Sequence, residues 1–562
     1  MCAEPDTAEL DTEPLPVATR AVRGGGAAID QQGRPAHARH QEARSNRARH
    51  RKPPTAYFPL RRRKFVVNDD APGAPAPTMQ KHRWSRRLIL WVAVMILANV
   101  LADVAITSPL MVLPQMLEHF DTDQAAWLNA SAMLAGAIWS PLLAKSSDIF
   151  GERRMLIATL LLACVGALVC LAAPNIWIFL VGRFIQGAAL GATFITVALA
   201  RRLYTPRVAM AVVGLVMSGS AIVGVLEPFL MTPVIDHFGY RSVFIAGALL
   251  AALAALSVRF LIPRTPGRSS GRIDMRGALL LGGGLGAVLG YVTLGRDSGW
   301  LSGSMIVLLV AGVAALAGWL VLALRIEEPI IDIRALSRPI VLTLLALVLA
   351  AGAFRSMVQL TGIVAQVPTD LGLGYGLGDG ESVAVLLATV SFGIILGGAL
   401  AGWLAGRFGP ATPLLGGIAI GTVATFTMLA GVSVLPLAIG CGAVLGMAAG
   451  AIGTSGYNMA TELAPPERQG TVSGLVSVVL ALGSVIVNVA GGEVLKANRT
   501  IADGTPMSTA TGVHLYVLMA GVLFIVAAVP AITLMRNRPV TPPPETTPRP
   551  MEDPAYDRIA SA

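Results

Sequence analysis

Four ionisable side chains stand inside otherwise apolar runs of this sequence: Asp103, Arg183, Glu227 and Arg355. A charge in hydrocarbon is costly, so residues of this kind usually face a bundle interior or a watery cavity and serve function. The chemistry open to two carboxylates and two guanidinium groups is proton exchange. Desolvation makes a carboxylate hold its proton more tightly and a nearby guanidinium loosens it, so a movement that alters either influence loads or releases a proton. Arginine suits the fixed partner because it stays protonated in proteins. The alternative reading of each residue is a buried polar group that only locks helices together.

Depth suggests which of them meet. At about 1.5 Å per residue, Asp103 lies roughly 22 Å from the cytoplasmic start of its helix. Arg183 lies about 20 Å from the same surface in a core of about 30 Å, so Arg183 is expected to face Asp103. Glu227, in "VLEPFL", lies roughly 28 Å up its helix and is either a second proton site or an interfacial carboxylate already in water. Arg355 is a candidate cavity charge.

Around Arg183 the stretch "LVGRFIQGAALGA" sets Gly187 and Gly191 one turn apart on one helix face, where small residues let a neighbouring helix come close. Gly393, Gly397 and Ala401 repeat the spacing. Both sets read as tight packing, with the added option of a surface over which helices rock. In "AKSSDIFGERR" a short turn carries Asp148, Gly151, Arg153 and Arg154. Charge contacts at such a turn can exist in one conformation only; the other reading is that the arginines merely set the orientation.

The elements that hold these residues are membrane spans. Of 562 residues 54% are hydrophobic and 14% charged, with a mean hydropathy of +0.66, which argues against an ordinary soluble protein. About 20 apolar residues cross a bilayer as helix. Such runs recur near 88–111, 125–144, 155–173, 176–199, 208–233, 242–262, 277–294, 303–324, 339–363, 382–405, 412–431, 434–457, 470–492 and 512–535. An all-α polytopic protein of fourteen spans is expected. Arg86, Arg87, Arg153, Arg154, Arg201, Arg202, Arg207 and the arginines from 264 to 276 fall on one side, and Glu118, Asp121, Asp123, Asp370, Asp379 and Glu381 on the other. Positive residues stay cytoplasmic, so both termini are placed inside.

"AKSSDIFGERR" after the second run and "GWLAGRFG" after the tenth form a weak repeat. It implies two six-helix halves, at 87–262 and 338–535, with two inserted helices and their loops at 263–337. Halves with a site between them near the midplane are a transporter architecture. Residues 1–86, with 16 Lys/Arg against 9 Asp/Glu, hold most of the chain's net charge of +10. This Pro-, Gly- and Arg-rich segment and the Pro-rich 536–562 read as disordered cytoplasmic tails. The basic tail is expected to touch anionic lipid and not nucleic acid, since neither a recognised fold nor an aromatic platform accompanies it.

Other chemistries have little support. No glycine immediately precedes any of the five lysines, at 52, 64, 81, 145 and 496, so there is no Walker A phosphate loop. Cys2, Cys164, Cys170 and Cys441 have neither metal-ligand spacing nor a disulfide pattern. No enzyme activity, metal or cofactor is expected.

Taken together the motifs resemble the major facilitator superfamily, and within it the 14-span drug:proton antiporter branch of EmrB/QacA type. "LVGRFIQGAALGA" is similar to that family's fourth-helix signature at Arg183, Gln186 and Gly187, and "AKSSDIFGERR" to the loop after the second helix at Asp148, Gly151 and Arg153. "NVLADVAITSPLMVLP" resembles the first-helix signature, with Asp103 at its acidic position. "RIDMRGALLLGGGLGAVLGYVTLGRDSGW" and "EEPIIDIRAL" resemble the borders of the branch's two inserted helices. The fifth-helix signature departs: "VLEPFLMTP" keeps Pro228 but has Glu227, Met231 and Thr232 where the family has glycines. The resemblance, over about 85–540, implies a monomeric multi-pass protein of the cell membrane. It would exchange protons for small amphipathic or drug-like compounds by alternating access. A narrow-range exporter of an endogenous metabolite or lipid is the second reading, and a non-transporting membrane sensor on the same scaffold the third.

The orientation is directly testable. Cysteines placed at positions 122 and 378 should react with an impermeant thiol reagent from outside, and cysteines at 150 and 268 should not. Labelling of 268 from outside would break the fourteen-span order between the fifth and eighth runs.

Overall fold

In hydrocarbon each backbone polar group must be paired within the protein, which leaves an apolar chain of this length the helix as its natural form. The computed structural model describes residues 86–120, 125–267, 271–365, 367, 374–377, 380–502 and 505–536, all within the unit Lys81–Ala562. Asp121, Asp123, Asp370 and Asp379, positions 122, 268 and 378, and both expected tails except Arg86 and Arg536 lie outside the described residues.

The first group of helices is α1 (Arg86–Met111), the short α2 (Leu113–His119), α3 (Ala125–Phe150), α4 (Glu152–Ala172), α5 (Ile176–Gln186), α6 (Gly191–Leu203), α7 (Pro206–Phe238) and α8 (Arg241–Leu261). Next come α9 (Met275–Ser298) and α10 (Gly303–Arg325). The last group is α11 (Arg338–Ala365), α12 (Gly380–Phe408), α13 (Ala411–Gly431), α14 (Leu435–Leu463), α15 (Gln469–Ala497) and α16 (Ala510–Arg536). Among the described residues 13 helices are long and apolar enough to cross a membrane, counting α5, its 3-10 turn Gly187–Leu190 and α6 as one stretch. The second run of the sequence, 125–144, falls within α3, a helix of 26 residues.

The fold is all-α as expected, with two local features added. The fourth run keeps its span, Ile176–Leu203, and its glycines tighten into the 3-10 turn at Gly187–Leu190. Outside the spans β1 (Arg499–Ala502) pairs antiparallel with β2 (Thr505–Ser508), Arg499 opposite Ser508. That link between α15 and α16 satisfies its backbone by pairing with itself, where no helix continues.

Turn chemistry explains several boundaries. Gly151 separates α3 from α4 at φ +92°, and a Cβ there would stand 2.0 Å from the Thr265 carbonyl oxygen, so only glycine fits. Asn175 caps α5 by accepting from the Ile178 N–H at 3.0 Å. Pro206 starts α7, where a missing N–H costs nothing.

Packing then gathers the helices. α1 lies on α7 and α8, and α11 on α15 and α16. The inserted α9 and α10 pack on each other, with α9 seated on α3 and touching α15. The two groups meet where α7 runs along α12 and α3 along α15. Large apolar side chains such as Trp177, Leu249, Phe260, Val307 and Val529 are exposed, as helices facing hydrocarbon require. Within the last group α12 and α14 approach closely: a Cβ on Gly393 or Gly397 would lie 2.0 Å from the carbonyl oxygens of Ala443 and Met447 respectively. The glycine spacing therefore serves tight packing.

Gly397→Ala is accordingly expected to lower stability by about 1–3 kcal/mol through overpacking. Gly416→Ala, where a Cβ meets nothing within 4 Å, should stay within about 0.5 kcal/mol of the parent. Thermal unfolding of the purified proteins compares them, and equal midpoints would remove the close α12/α14 approach.

Candidate functional site

The site begins with a defect in α1. Pro109 lies inside that helix, and proline has no N–H to give to the residue four before it. The Ala105 carbonyl therefore loses its helical donor. Arg183 of α5 supplies the replacement: its Nη1 donates to the Ala105 oxygen at 2.7 Å and to Gln186 Oε1 at 2.6 Å. The guanidinium is only 1% exposed, and its Nε is buried without a partner. Gly187 leads out of this helix beneath α3, where a Cβ would sit 2.6 Å from the Ala132 carbonyl oxygen.

Arg183 was expected to pair with Asp103, and it does not. No carboxylate lies within ion-pair distance of it among the described residues. The depth argument brought Arg183 to the right stretch of α1, but the orphaned carbonyl two residues beyond Asp103 takes the guanidinium.

Asp103 belongs to another set of groups. It hydrogen-bonds Ser220 of α7 and lies within electrostatic reach of Glu227 on the same helix and of Arg355 on α11. Glu227 accepts a hydrogen bond from the Ser108 hydroxyl of α1 and is 4% exposed, so it is not an interfacial carboxylate in water. Arg355 is exposed although Phe354 and Ser356 beside it are buried. Since its electrostatic partner is on α1, its side chain stands in the space between the two groups of helices. Asp103 and Arg355 each lie seventeen residues beyond the first residue of α1 and α11, about 25 Å from the helix start.

Below this cluster the groups are joined, from mid-depth down to the end that carries Arg86, Arg87, Arg153 and Arg154. Asp148, at the end of α3, faces the N-terminus of α15: Oδ1 accepts from the Gly470 N–H at 2.8 Å, and Oδ2 from the Thr471 N–H at 2.8 Å and its hydroxyl at 2.7 Å. A carboxylate there satisfies orphan donors of the first turn and faces the positive end of the helix dipole. Arg201 of α6 donates to the Asn458 backbone oxygen at 2.7 Å and to its Oδ1 at 3.3 Å, while Asn458 Nδ2 donates to the Met210 carbonyl at 3.2 Å. Ser218 of α7 donates to the Ile395 carbonyl of α12 at 2.7 Å.

The other residues of the turn have local roles. Arg153 is bonded to the Val258 and Arg259 carbonyls of α8, Glu152 pairs with Arg202 at 3.2 Å, and Arg154 is exposed. Of the four residues expected to gate, Asp148 is the one bonded across to the second group among the described residues, through two backbone N–H groups and the Thr471 hydroxyl. Gly191 packs under Leu143 of α3. Pro228 falls within α7 beside Glu227.

The sequence of the Major Facilitator Superfamily is matched over residues 93–488 and again over 371–559. The chain belongs to that superfamily. It is therefore a multi-pass membrane transporter of the cell membrane, from a family of transporters rather than enzymes. It is 28% identical over 416 residues to a multidrug resistance protein B homolog of Mycobacterium tuberculosis (strain ATCC 25618 / H37Rv), covering 71% of this chain and 74% of that one. It is 28% identical over 344 residues to the uridine/deoxyuridine transporter of Lactococcus lactis subsp. cremoris, covering 59% and 70%. Among solved structures the human organic anion transporter MFSD10 superposes with a TM-score of 0.56 at 17% identity, over 80% of this chain and 100% of that one. This last likeness shows a shared fold.

In this superfamily member, sequence reasoning missed Ser108, Ser220, Arg201, Asn458 and the role of Pro109. A signal existed for the last: a proline four residues after Ala105 announces an unpaired carbonyl in an apolar helix. Nothing comparable marked the serines, which are common in such helices.

If Arg183 replaces the missing N–H, Arg183→Met should cost about 2 kcal/mol, the penalty of a buried carbonyl left unpaired. Pro109→Ala in the same chain restores a donor and should recover about half of that loss. Thermal midpoints of the four proteins test the coupling, and strictly additive effects would disconnect the two residues.

Proposed function

We propose that this chain is a proton-coupled exporter of small amphipathic compounds, working by alternating access between α1–α8 and α11–α16. The observation that carries the reading is the cluster of Asp103, Glu227 and Arg355, drawn from both groups of helices and set above a seam that is closed at the basic end. With both carboxylates ionised the three groups sum to one negative charge, and one proton brings the sum to zero. A proton and a positively polarised group of the cargo thus compete for the same carboxylates, and binding one favours release of the other. Arg183 acts indirectly, by fixing the stretch of α1 that carries Asp103 and Ser108.

In this reading the basic end is cytoplasmic, the spans number fourteen with α3 as the second, and both termini lie inside. The halves are 87–262 and 338–535, the inserted pair and its loops are 263–337, and 1–86 and 536–562 are tails of a monomer. Asp148 on Gly470 and Thr471, and Arg201 on Asn458, form the cytoplasmic gate, which parts when the transporter faces inward. Gly151 sets the turn behind Asp148, while Arg153 and Arg154 anchor it. The resistance-protein name of the mycobacterial relative supports a broad range of cargo. The nucleoside cargo named for the lactococcal relative supports the narrow-range alternative.

Asp103→Asn keeps the shape and hydrogen-bonding reach of the side chain but cannot exchange a proton. It should abolish uphill, gradient-driven efflux from vesicles with expression and thermal midpoint unchanged; undiminished uphill efflux would remove Asp103 from the coupling. Glu227→Gln should shift the pH dependence of efflux across external pH of about 5.5 to 8, because it removes one of the two carboxylates at which a proton and the cargo compete. Superimposable pH curves would leave Glu227 a packing role.

A further inference from the structure

Away from the central site, three arginines gather around a fourth at the basic end of α4 and α8. Arg153 ties the start of α4 to the end of α8: its Nε donates to the Val258 carbonyl at 3.4 Å, its Nη2 to the Arg259 carbonyl, and its backbone N–H to Thr265 Oγ1 at 2.9 Å. Arg154 follows Arg153, Arg259 accepts from it and Arg264 precedes Thr265, so these bonds bring the three together. All three lie within electrostatic reach of Arg153 and are exposed.

The charge of this cluster is uncompensated within the fold. Among the described residues the ion pairs are Glu152 with Arg202 and Asp332 with Arg468, so the acid next to Arg153 in the chain is already taken. The charges that act on Arg153 are those of the three arginines, and no acid is among them. A surface of one sign concentrates ions of the other.

Position says which anion. On α4 the exposed Leu161, Val165 and Leu168 recur at spacings of four and three, which puts them on one helix face. Arg154, seven residues before Leu161, ends that face. On α8 the exposed Leu249, Leu253 and Leu256 form a second face, and Arg259 stands three residues beyond it. The faces are neighbours, because α4 packs on α8 and Cys164 Sγ donates to the Ala248 carbonyl at 3.5 Å. That contact lies eleven residues from the Arg153–Arg259 contact along each helix, so the helices run antiparallel and Arg154 and Arg259 stand at one level. Two hydrocarbon-facing stripes that both end in arginine match a molecule with acyl chains and an anionic head.

We propose that this edge of α4 and α8 holds an anionic phospholipid, its phosphate shared by Arg154, Arg259 and Arg264 and its chains laid along the two leucine-bearing faces. The headgroup supplies the counter-charge that the fold lacks there and offsets the repulsion around Arg153. Because Arg153 ties the turn between α3 and α4 to α8, the lipid steadies the turn that presents Asp148 to α15. This assignment is independent of proton coupling and of the cargo.

The test uses the full chain in phosphatidylcholine vesicles carrying a trace of phosphatidylglycerol with a diazirine in one acyl chain. After illumination, labelled peptides are located by mass spectrometry. Label should concentrate on α4 and α8 over the level on α13. Arg154→Gln, Arg259→Gln and Arg264→Gln should each lower that excess about fivefold, the factor one basic residue is worth beside anionic lipid, and the triple variant should remove it. Exposed substitutions of this kind leave folding intact, so the comparison reads binding. Arg338→Gln, which deletes an exposed cation elsewhere, should leave the excess unchanged. A diazirine phosphatidylcholine with the same chains has no net charge and should show no excess. Equal labelling by the two probes, undiminished excess in the triple variant, or an equal fall in Arg338→Gln would each overturn the proposal. Loss of the excess in saturating inorganic phosphate at constant ionic strength would also overturn it, by assigning the arginines to a free anion.

Discussion

One carbonyl without its donor sets the geometry of the first group of helices. Pro109 removes the N–H that Ala105 would have used, and the bilayer core offers no water to replace it. A side chain from another helix has to do so, and it must be long, rigid at its tip and able to donate in more than one direction. Arg183 meets those demands: it holds Ala105 and Gln186 at once, tying α5 to the stretch of α1 that carries Asp103 and Ser108. Among the described residues no counter-charge pairs with it, so its retention is explained by what it holds in place rather than by an ion pair.

The same constraint shapes the seam. Helices that must part cannot be joined by a large interdigitated core, which resists deformation. Here close packing of α7 on α12 and of α3 on α15, at Gly214, Gly402 and Gly474, is accompanied by directional bonds, Asp148 to the first turn of α15 and Arg201 to Asn458. Each of these groups has another state available, because the end of the bundle borders water and hydration can replace the lost partner. Bonds of that kind make a seam with two discrete conditions.

Much of this was legible in the sequence. Runs of apolar residues located the spans, loop arginines marked one end of the bundle, and Asp103, Glu227 and Arg355 were picked out by the cost of a charge in hydrocarbon. What was not legible was pairing. Composition and depth place a residue along the membrane normal but not around its helix, so Arg183 and Asp103 were set at one level and assumed to touch. Pairing across the seam was hidden further, because two of the three donors to Asp148 are backbone N–H groups, and a backbone N–H leaves no mark in the sequence. The likeness of "AKSSDIFGERR" to a known loop drew attention to its arginines, yet Arg153 bonds to α8 within its own group.

The first helix of each group carries one charge of the cluster. Asp103 and Arg355 stand at matching positions of α1 and α11, seventeen residues from each start, so the two groups of helices present opposite charges from corresponding places. Like charges at both positions would repel and could not both be desolvated. Opposite charges attract, and in the proposed cycle that attraction weakens whenever a proton or cargo takes the carboxylate. The proposed motion of the two groups is coupled through this difference in charge at matching positions.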